Sequence, residues 1–370
     1  MFNRRTIYDI RGGDVVQMEK TREELQKLGV QVDIATPSQV PNECNYDVVH
    51  LFNLQTQDDT FWGLKWAEKY QIPTVFSPIF WDMTDLNFSR IIRVKKHWRM
   101  LYGLFGETIS RMIYNPWQTI KKPHNLHWQT QRCLLNCILK ILPNSKSEAI
   151  LIQKYFWLKN DWYKKVAVIP NAVDRRLYQN FSRDSSIVKE YDLEGCVLQV
   201  GWIGESKNQL KLLEALYDTQ LKIVFVGPSS PFEPEYFAKC KRIANERGNV
   251  RFVGPVAPNE LPAIYASAGV HILPSWRETP GLASLEAAAA GCRVVSTSVG
   301  TAKEYFNDRI WYCNPDDPSS INRAIMSAIS NPVNPSLRSY VLENFTWDKV
   351  ASMTLDAYYA VLKKHSKAVR

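Results

Sequence analysis

Two glutamates with seven residues between them, Glu278 and Glu286, sit at the start and in the middle of a segment that is otherwise rich in Ala and Leu, ETPGLASLEAAAAG over residues 278–291. A carboxylate buried among apolar side chains is costly unless something meets it, so Glu286 calls for a basic group or a ligand hydroxyl, or else a gap to solvent. Upstream, GWIGESKN (201–208) ends an apolar run and carries Lys207, whose ammonium could neutralise a diphosphate or could simply be solvated. Near the start, Gly12, Gly13 and Asp14 stand together. Two glycines let a backbone approach a phosphate or sugar closely, although a Gly pair also makes an ordinary turn.

These residues need elements to hold them. Thr279 suits an N-cap and Pro280 a first helical position, while Gly291 supplies a stop, so about three turns of helix are expected with the N–H groups of Gly281 and Leu282 pointing out of its end. That helix is apolar on nearly every face and should be buried. Short β-rich runs alternate with helices along the whole chain, which argues for parallel sheets covered on both faces. Strands are expected at 30–34, 46–53, 72–80, 140–144 and 166–171 in the first half, and at 196–202, 221–227, 250–254, 270–275, 293–298 and 310–313 in the second. A helix is expected over residues 14–28, a capping box of Ser145 and Glu148 opens another, and residues 345–364 read as a terminal amphipathic helix. In open sheets of this kind, anions collect where strands end and helices begin, and all three candidate sites lie at such corners.

At 370 residues, 45% apolar and 22% charged, the chain suits two globular domains. The first residues lack an apolar stretch long enough for a signal peptide and no run of 18 apolar residues occurs, so a cytoplasmic protein is expected. Seven cysteines without a CxxC pair, and six histidines without HExxH or HxH, point to reduced thiols and no metal site. The net charge of +9 is concentrated: residues 90–140 hold ten basic residues against one acid, Glu107, interleaved with Trp98, Tyr102, Phe105, Tyr114, Trp117 and Trp128. That mixture suits an anionic membrane surface, through residues 90–128, on the inner face of a membrane. A solvated helical face is the plain alternative. A nucleic-acid partner is not expected, since no nucleic-acid module accompanies the charge.

Taken together, the motifs resemble glycosyltransferase family 4, the retaining enzymes of the GT-B fold. The match in the second half rests on Glu278 and Glu286 with PS at 274–275, GL at 281–282 and an AxAAG-like end at 288–291, on Lys207 with Asn208, and on Gly300 with Glu304. In the first half, GGD (12–14), DVVHLFN (47–53), PNSKSE (143–148) and IPNAVD (169–174) are similar to the family's acceptor domain. The resemblance implies an α/β architecture of two Rossmann-like parallel-sheet domains facing a central cleft, with a C-terminal helix crossing back to the first. The expected boundaries are an acceptor domain over 1–175 with its first strand truncated, a linker over 176–194, a nucleotide-sugar domain over 195–344 and the crossing helix over 345–370.

The implied activity is transfer of a sugar from a nucleoside-diphosphate sugar, of UDP or GDP type, to a lipid-linked or polysaccharide acceptor, with no metal and no further cofactor. Glu278 would reach the transferred sugar, Lys207 the departing diphosphate and Glu286 the ribose hydroxyls, with Pro280, Gly281, Leu282, Gly300 and Lys303 around the donor. Gly12, Gly13 and Asp14 would form an acceptor or phosphate loop. Two positions depart from the family pattern: Trp202 replaces an Arg, and SPIFWDM (77–83) offers Ile79, Trp81 and Asp82, the last a candidate catalytic group, where the family has its acceptor-side His. These departures frame the alternative of a degenerate member that binds a nucleotide sugar or glycan without transfer.

Overall fold

The computed structural model describes residues 1–41, 45–183, 186–279 and 281–368. The chain divides into two compact units, Met1–Pro170 with Ala351–Arg370, and Asn171–Val350.

In the first unit, β1 (Val49–Phe52), β2 (Thr74–Ser77) and β3 (Lys140–Ile141) are parallel in that order. Every residue of β1 and β2 is buried, as a sheet covered on both faces requires. Prolines set the strand limits. Pro73 and Pro78 flank β2, and after β3 only Leu142 N still donates to β2, to Phe76 O at 2.7 Å, before Pro143 removes the next donor. The expected strand at 166–171 keeps one bridge, Val166 beside Ile141, and two backbone bonds, Ala167 N to Ile141 O and Ile169 N to Pro143 O, both 2.9 Å. The expected strand at 30–34 is likewise absent; only Ala35 pairs, with Phe2, which also bridges Leu51 on β1. Residues 1–3 thus occupy the position between Ala35 and β1. Ser145 caps the helix Lys146–Tyr155 as the capping box predicts, its Oγ accepting from Glu148 N at 2.9 Å. The Glu148 carboxylate reaches one residue further back than expected, to Asn144 N (2.6 Å), and also takes Phe80 N (2.7 Å).

The second unit holds a six-stranded parallel sheet: β4 (Val197–Val200), β5 (Ile223–Val226), β6 (Val250–Gly254), β7 (Val270–Leu273), β8 (Val294–Thr297) and β9 (Trp311–Cys313). Their spatial order is β6-β5-β4-β7-β8-β9. The chain winds outward from β4 in one direction and from β7 in the other, so the order reverses between these two strands. At such a reversal the following loops part, and a crevice opens at the carboxyl ends. The stretch expected to be a linker, 176–194, packs with this unit: the helices Arg175–Gln179 and Ser186–Glu190 lie in it, and Tyr178, Val188 and Leu193 are buried in the core.

The last helix, Trp347–Ala368, joins the first unit from Ala351 onward. There, the buried His50 on β1 stands between two hydroxyls, with Nδ1 2.8 Å from Tyr358 Oη and Nε2 2.9 Å from Ser77 Oγ. Burial holds the His50 pKa well below the usual imidazole range, so the ring is neutral at physiological pH. Six cysteines are free thiols, among them Cys133 and Cys137 with their sulfurs 3.8 Å apart; Cys44 lies outside the described residues. Among the described residues no helix is long and apolar enough to cross a membrane. Tyr358→Phe leaves a buried imidazole nitrogen without its partner, at an expected cost of about 1–2 kcal/mol. Thermal unfolding of the variant should show the midpoint of the first unit lowered by roughly 3–6 °C.

Candidate active site at the reversal of strand order

The site in the second unit grows from the two strands that flank the reversal. After β4 the chain passes through Gly201 and the half-buried Trp202 into a short 3-10 turn, Glu205–Lys207. Lys207 closes that turn rather than beginning a helix; the helix Gln209–Ala215 starts two residues later, because Asn208 takes a left-handed conformation (φ 63°) between turn and helix. Asn208 is nearly buried, and its amide donates to Pro274 O (3.0 Å) after β7 and to Pro315 O (2.7 Å) after β9. Gln199 on β4 donates to the Lys207 carbonyl at 2.8 Å. The backbone of Lys207 is therefore fixed from both sides.

The Lys207 side chain is aimed at Glu278 in the loop after β7 and donates to its Oε1, and Ser275 Oγ donates to the same oxygen at 2.6 Å. Glu278 is 3% exposed, while the lysine side chain keeps 22%. Gly300, expected to touch the donor, instead explains how Glu278 is placed. Its backbone runs parallel against that of Glu278, Thr301 N donates to Glu278 O at 2.9 Å, and a Cβ at Gly300 would stand 2.1 Å from that oxygen. With φ at 121° as well, only glycine fits.

The helix beyond Glu278 also differs from expectation. It spans Leu282–Ala289, so Thr279 is not its N-cap; Gly281 is, with φ 86°. Pro280 lies outside the described residues. The left-handed bend at Gly281 delays helical geometry until Leu282, which leaves about two turns, closed by Gly291 as predicted. Glu286 then lies about one turn above the helix start. Its carboxylate accepts from the hydroxyl of the buried Tyr265 at 3.0 Å. Desolvation pushes its pKa up to about 7, and the Tyr265 hydrogen bond offsets part of that push.

The remaining candidates disperse. Trp202 O accepts from Gln209 Nε2 at 3.0 Å, which pins the turn rather than the indole. Lys303 is exposed on the short helix Ala302–Phe306, the turn that follows Gly300. In the first unit, Gly12 and Gly13 do open the helix Gly13–Lys27, but the Asp14 carboxylate is occupied by Arg4 Nε (2.9 Å) and Asn53 Nδ2 (3.0 Å) in a largely buried cluster. Asp82 follows β2 and accepts from Thr84 N and Oγ1 (2.9 and 2.5 Å), shaping the start of the helix Thr84–Val94. Ser275, Tyr265 and Gln199 were not foreseen. Ser275 stood in the quoted PS pair, whereas nothing in the sequence links Tyr265 to Glu286. Among the described residues, no three His, Cys, Asp or Glu side chains converge as metal ligands would.

Lys207, Ser275, Glu278, Glu286 and Gly300 all fall within the part of the chain that matches a known family. Residues 181–344 match the model of glycosyl transferases group 1. The O-antigen chain mannosyltransferase B of Escherichia coli is 24% identical over 183 residues, 46% of this chain and 48% of that protein. The chain spans half or less of the length of curated relatives such as this one, from 22% to 48%. Likeness in structure extends further, to a sucrose-phosphate synthase from Thermosynechococcus elongatus (TM-score 0.72, 15% identity, covering 95% of this chain and 94% of that one). The Anabaena protein HepE, solved with UDP and glucose, gives 0.71 at 15% identity over 97% and 99%. The fold is GT-B.

The pKa of Glu286 has a measurable consequence. In the unfolded chain a Glu near 4.5 ionises first, so between about pH 4.5 and 7 the folded protein binds more protons, and stability falls as pH rises through that window. Glu286→Gln removes the penalty. The variant should be more stable than the parent by about 3 kcal/mol at pH 8, and the difference should vanish below about pH 4.5. Urea unfolding at the two pH values reads this directly; a pH-independent difference would show that ionisation of Glu286 is not its source.

Proposed function

We propose that this protein is a retaining glycosyltransferase that moves a hexose from a UDP- or GDP-type nucleotide sugar to a lipid-linked or polysaccharide acceptor. The observation that carries the reading is the pair Lys207–Glu278, set in the two loops that flank the reversal of strand order and adjoining the start of the helix Leu282–Ala289. In that position a diphosphate meets an ammonium group and the N–H groups of a helix end, both suited to negative charge. Glu286, a carboxylate held in a place that disfavours its charge, gains a hydroxyl partner when a ribose binds. The HepE complex with UDP and glucose supports a nucleotide-sugar donor, and the name of the O-antigen mannosyltransferase supports a polysaccharide acceptor.

The chemistry assigned to the residues is as follows. The bond between the anomeric carbon and the phosphate oxygen breaks with its electron pair going to the diphosphate. The acceptor oxygen attacks from the same face, and its proton passes to the departing phosphate oxygen. Lys207 turns from Glu278 to that developing charge, and preorganised donors of this kind supply the larger part of such catalysis without a metal. Glu278, still held by Ser275, then takes hydrogen bonds from the sugar. The pairing of Lys207 with Glu278 in the unliganded protein keeps both side chains in place at the cost of one ion pair exchanged on binding.

Two outcomes test these assignments. Titration with UDP and GDP should show Glu286→Ala weakening nucleotide affinity by about tenfold or more, while Glu278→Ala binds nucleotide as well as the parent and loses transfer. Equal loss of affinity in both variants would overturn the division of roles. At Trp202, an Arg would add a bidentate cation beside the diphosphate, so Trp202→Arg should raise transfer or donor affinity by about tenfold. A fall in activity would instead give the indole a role of its own, stacking on donor or acceptor.

A further inference from the structure

The first unit carries a feature that sugar transfer does not use. The helical segment Lys96–Lys121 is interrupted at Gly106, which has φ 72°. A straight helix would hold Trp98 and Tyr114 about 24 Å apart, yet their rings are 5.5 Å apart and Trp98 lies 5.8 Å from Trp117. The chain therefore folds back at Gly106 into a hairpin of two helical arms. With Phe88 from the helix Thr84–Val94, these rings form a small apolar cluster of their own.

Outside that cluster the hairpin is apolar where a protein surface is ordinarily polar. Of 22 large apolar side chains exposed among the described residues, ten lie between Val94 and Leu126. They include Leu104 (69% exposed) and Phe105 (54%) at the bend, with Met100, Ile109, Met112 and Ile113 along the arms. Lys95 and Lys96, both exposed, sit at the open end of the first arm, about 15 Å from the bend, and the exposed Lys121 ends the longer second arm about 22 Å from it. Glu107 is matched near the bend by Arg111, which pairs with it at 2.6 Å and with Asp85 at 2.7 Å while lying over the Phe88 ring. The tip thus presents no unmatched acid.

We propose that this hairpin docks the protein on an anionic lipid bilayer, with Leu104, Phe105 and their neighbours entering the headgroup–acyl boundary and the lysines at its base meeting lipid phosphates. Interfacial segments bury their apolar face about 5–10 Å deep, so Lys95 and Lys96, about 15 Å from the bend, stand at the level of the phosphates, with Lys121 further out toward the water. The charge selects an anionic membrane over a neutral one, and the contiguous apolar tip selects a bilayer over a nucleic acid, which would be met by charge and stacking rings instead. This surface is independent of the proposed nucleotide site.

Flotation of the full chain with vesicles of phosphatidylcholine, alone or mixed with phosphatidylglycerol, tests it. Binding should require phosphatidylglycerol and weaken as salt is raised. The double variant Leu104→Asn, Phe105→Asn should lower binding by about tenfold or more, with an unchanged unfolding midpoint and unchanged affinity for UDP or GDP. Replacing Lys95, Lys96 and Lys121 by Gln should remove the preference for the anionic lipid. Binding that ignores lipid charge and salt, binding that survives the double variant, or no flotation at all would overturn the proposal. A parent chain that self-associates through this face instead, and becomes monomeric in the double variant, would identify a second copy as its occupant and overturn it equally.

Discussion

The ion pair between Lys207 and Glu278 is the interaction on which the rest of the second unit's site depends. Two charges withdrawn from water on a nearly buried carboxylate are tolerated only when their geometry is good and further hydrogen bonds satisfy the remaining oxygens, and here Ser275 provides one. The surroundings are built to keep that geometry. Asn208 ties the lysine's turn to the loops after β7 and β9, Gln199 holds the lysine carbonyl, and Gly300 lets a second backbone lie directly against Glu278. Each of these residues spends its own bonding capacity on position rather than on ligand.

Glu286 works by the opposite principle. It has one hydroxyl partner, Tyr265, and an environment that disfavours its charge, so its ionised form is less stable than an exposed glutamate's. The protein bears that cost in the unliganded state, and a hydroxyl donor relieves it. One carboxylate is satisfied before a ligand arrives and the other is left under-satisfied, which is how two residues of the same type on either side of one helix start can carry different roles. The first unit shows a similar economy: Asp14 and Glu148 are carboxylates whose oxygens are taken by Arg4, Asn53 and backbone N–H groups, and they serve to tie loops together.

Where expectation and structure part, the reason is a local backbone demand that residue preference does not capture. Thr279 and Pro280 have the chemistry of a helix start, but the left-handed Gly281 postpones it. Lys207 looks like a first helical residue, but Asn208 must turn before the helix can form. The run at 30–34 has strand composition, yet a strand exists only where a neighbour runs beside it, and the pairing there is limited to Ala35.

The sequence by itself determined the alternation of strand and helix, the helix stop at Gly291, the pair of glutamates and the concentration of positive charge between residues 90 and 140, because all of these are written in nearest neighbours and short periods. The tertiary structure alone decided which loops meet. Lys207 and Glu278 are 71 residues apart and Tyr265 and Glu286 are 21 apart, and no periodicity pairs them. Lys207 and Glu278 come together because parallel strands are joined through helices and so may be ordered in space differently from the chain, and β4 and β7 end up side by side; Tyr265 and Glu286 meet because the helices before and after β7 pack together. The same holds for the hairpin: its aromatic and basic residues were visible in the chain, but only the reversal at Gly106 brings Trp98 against Tyr114 and sets Leu104 and Phe105 at the bend, away from the lysines at the ends of the arms.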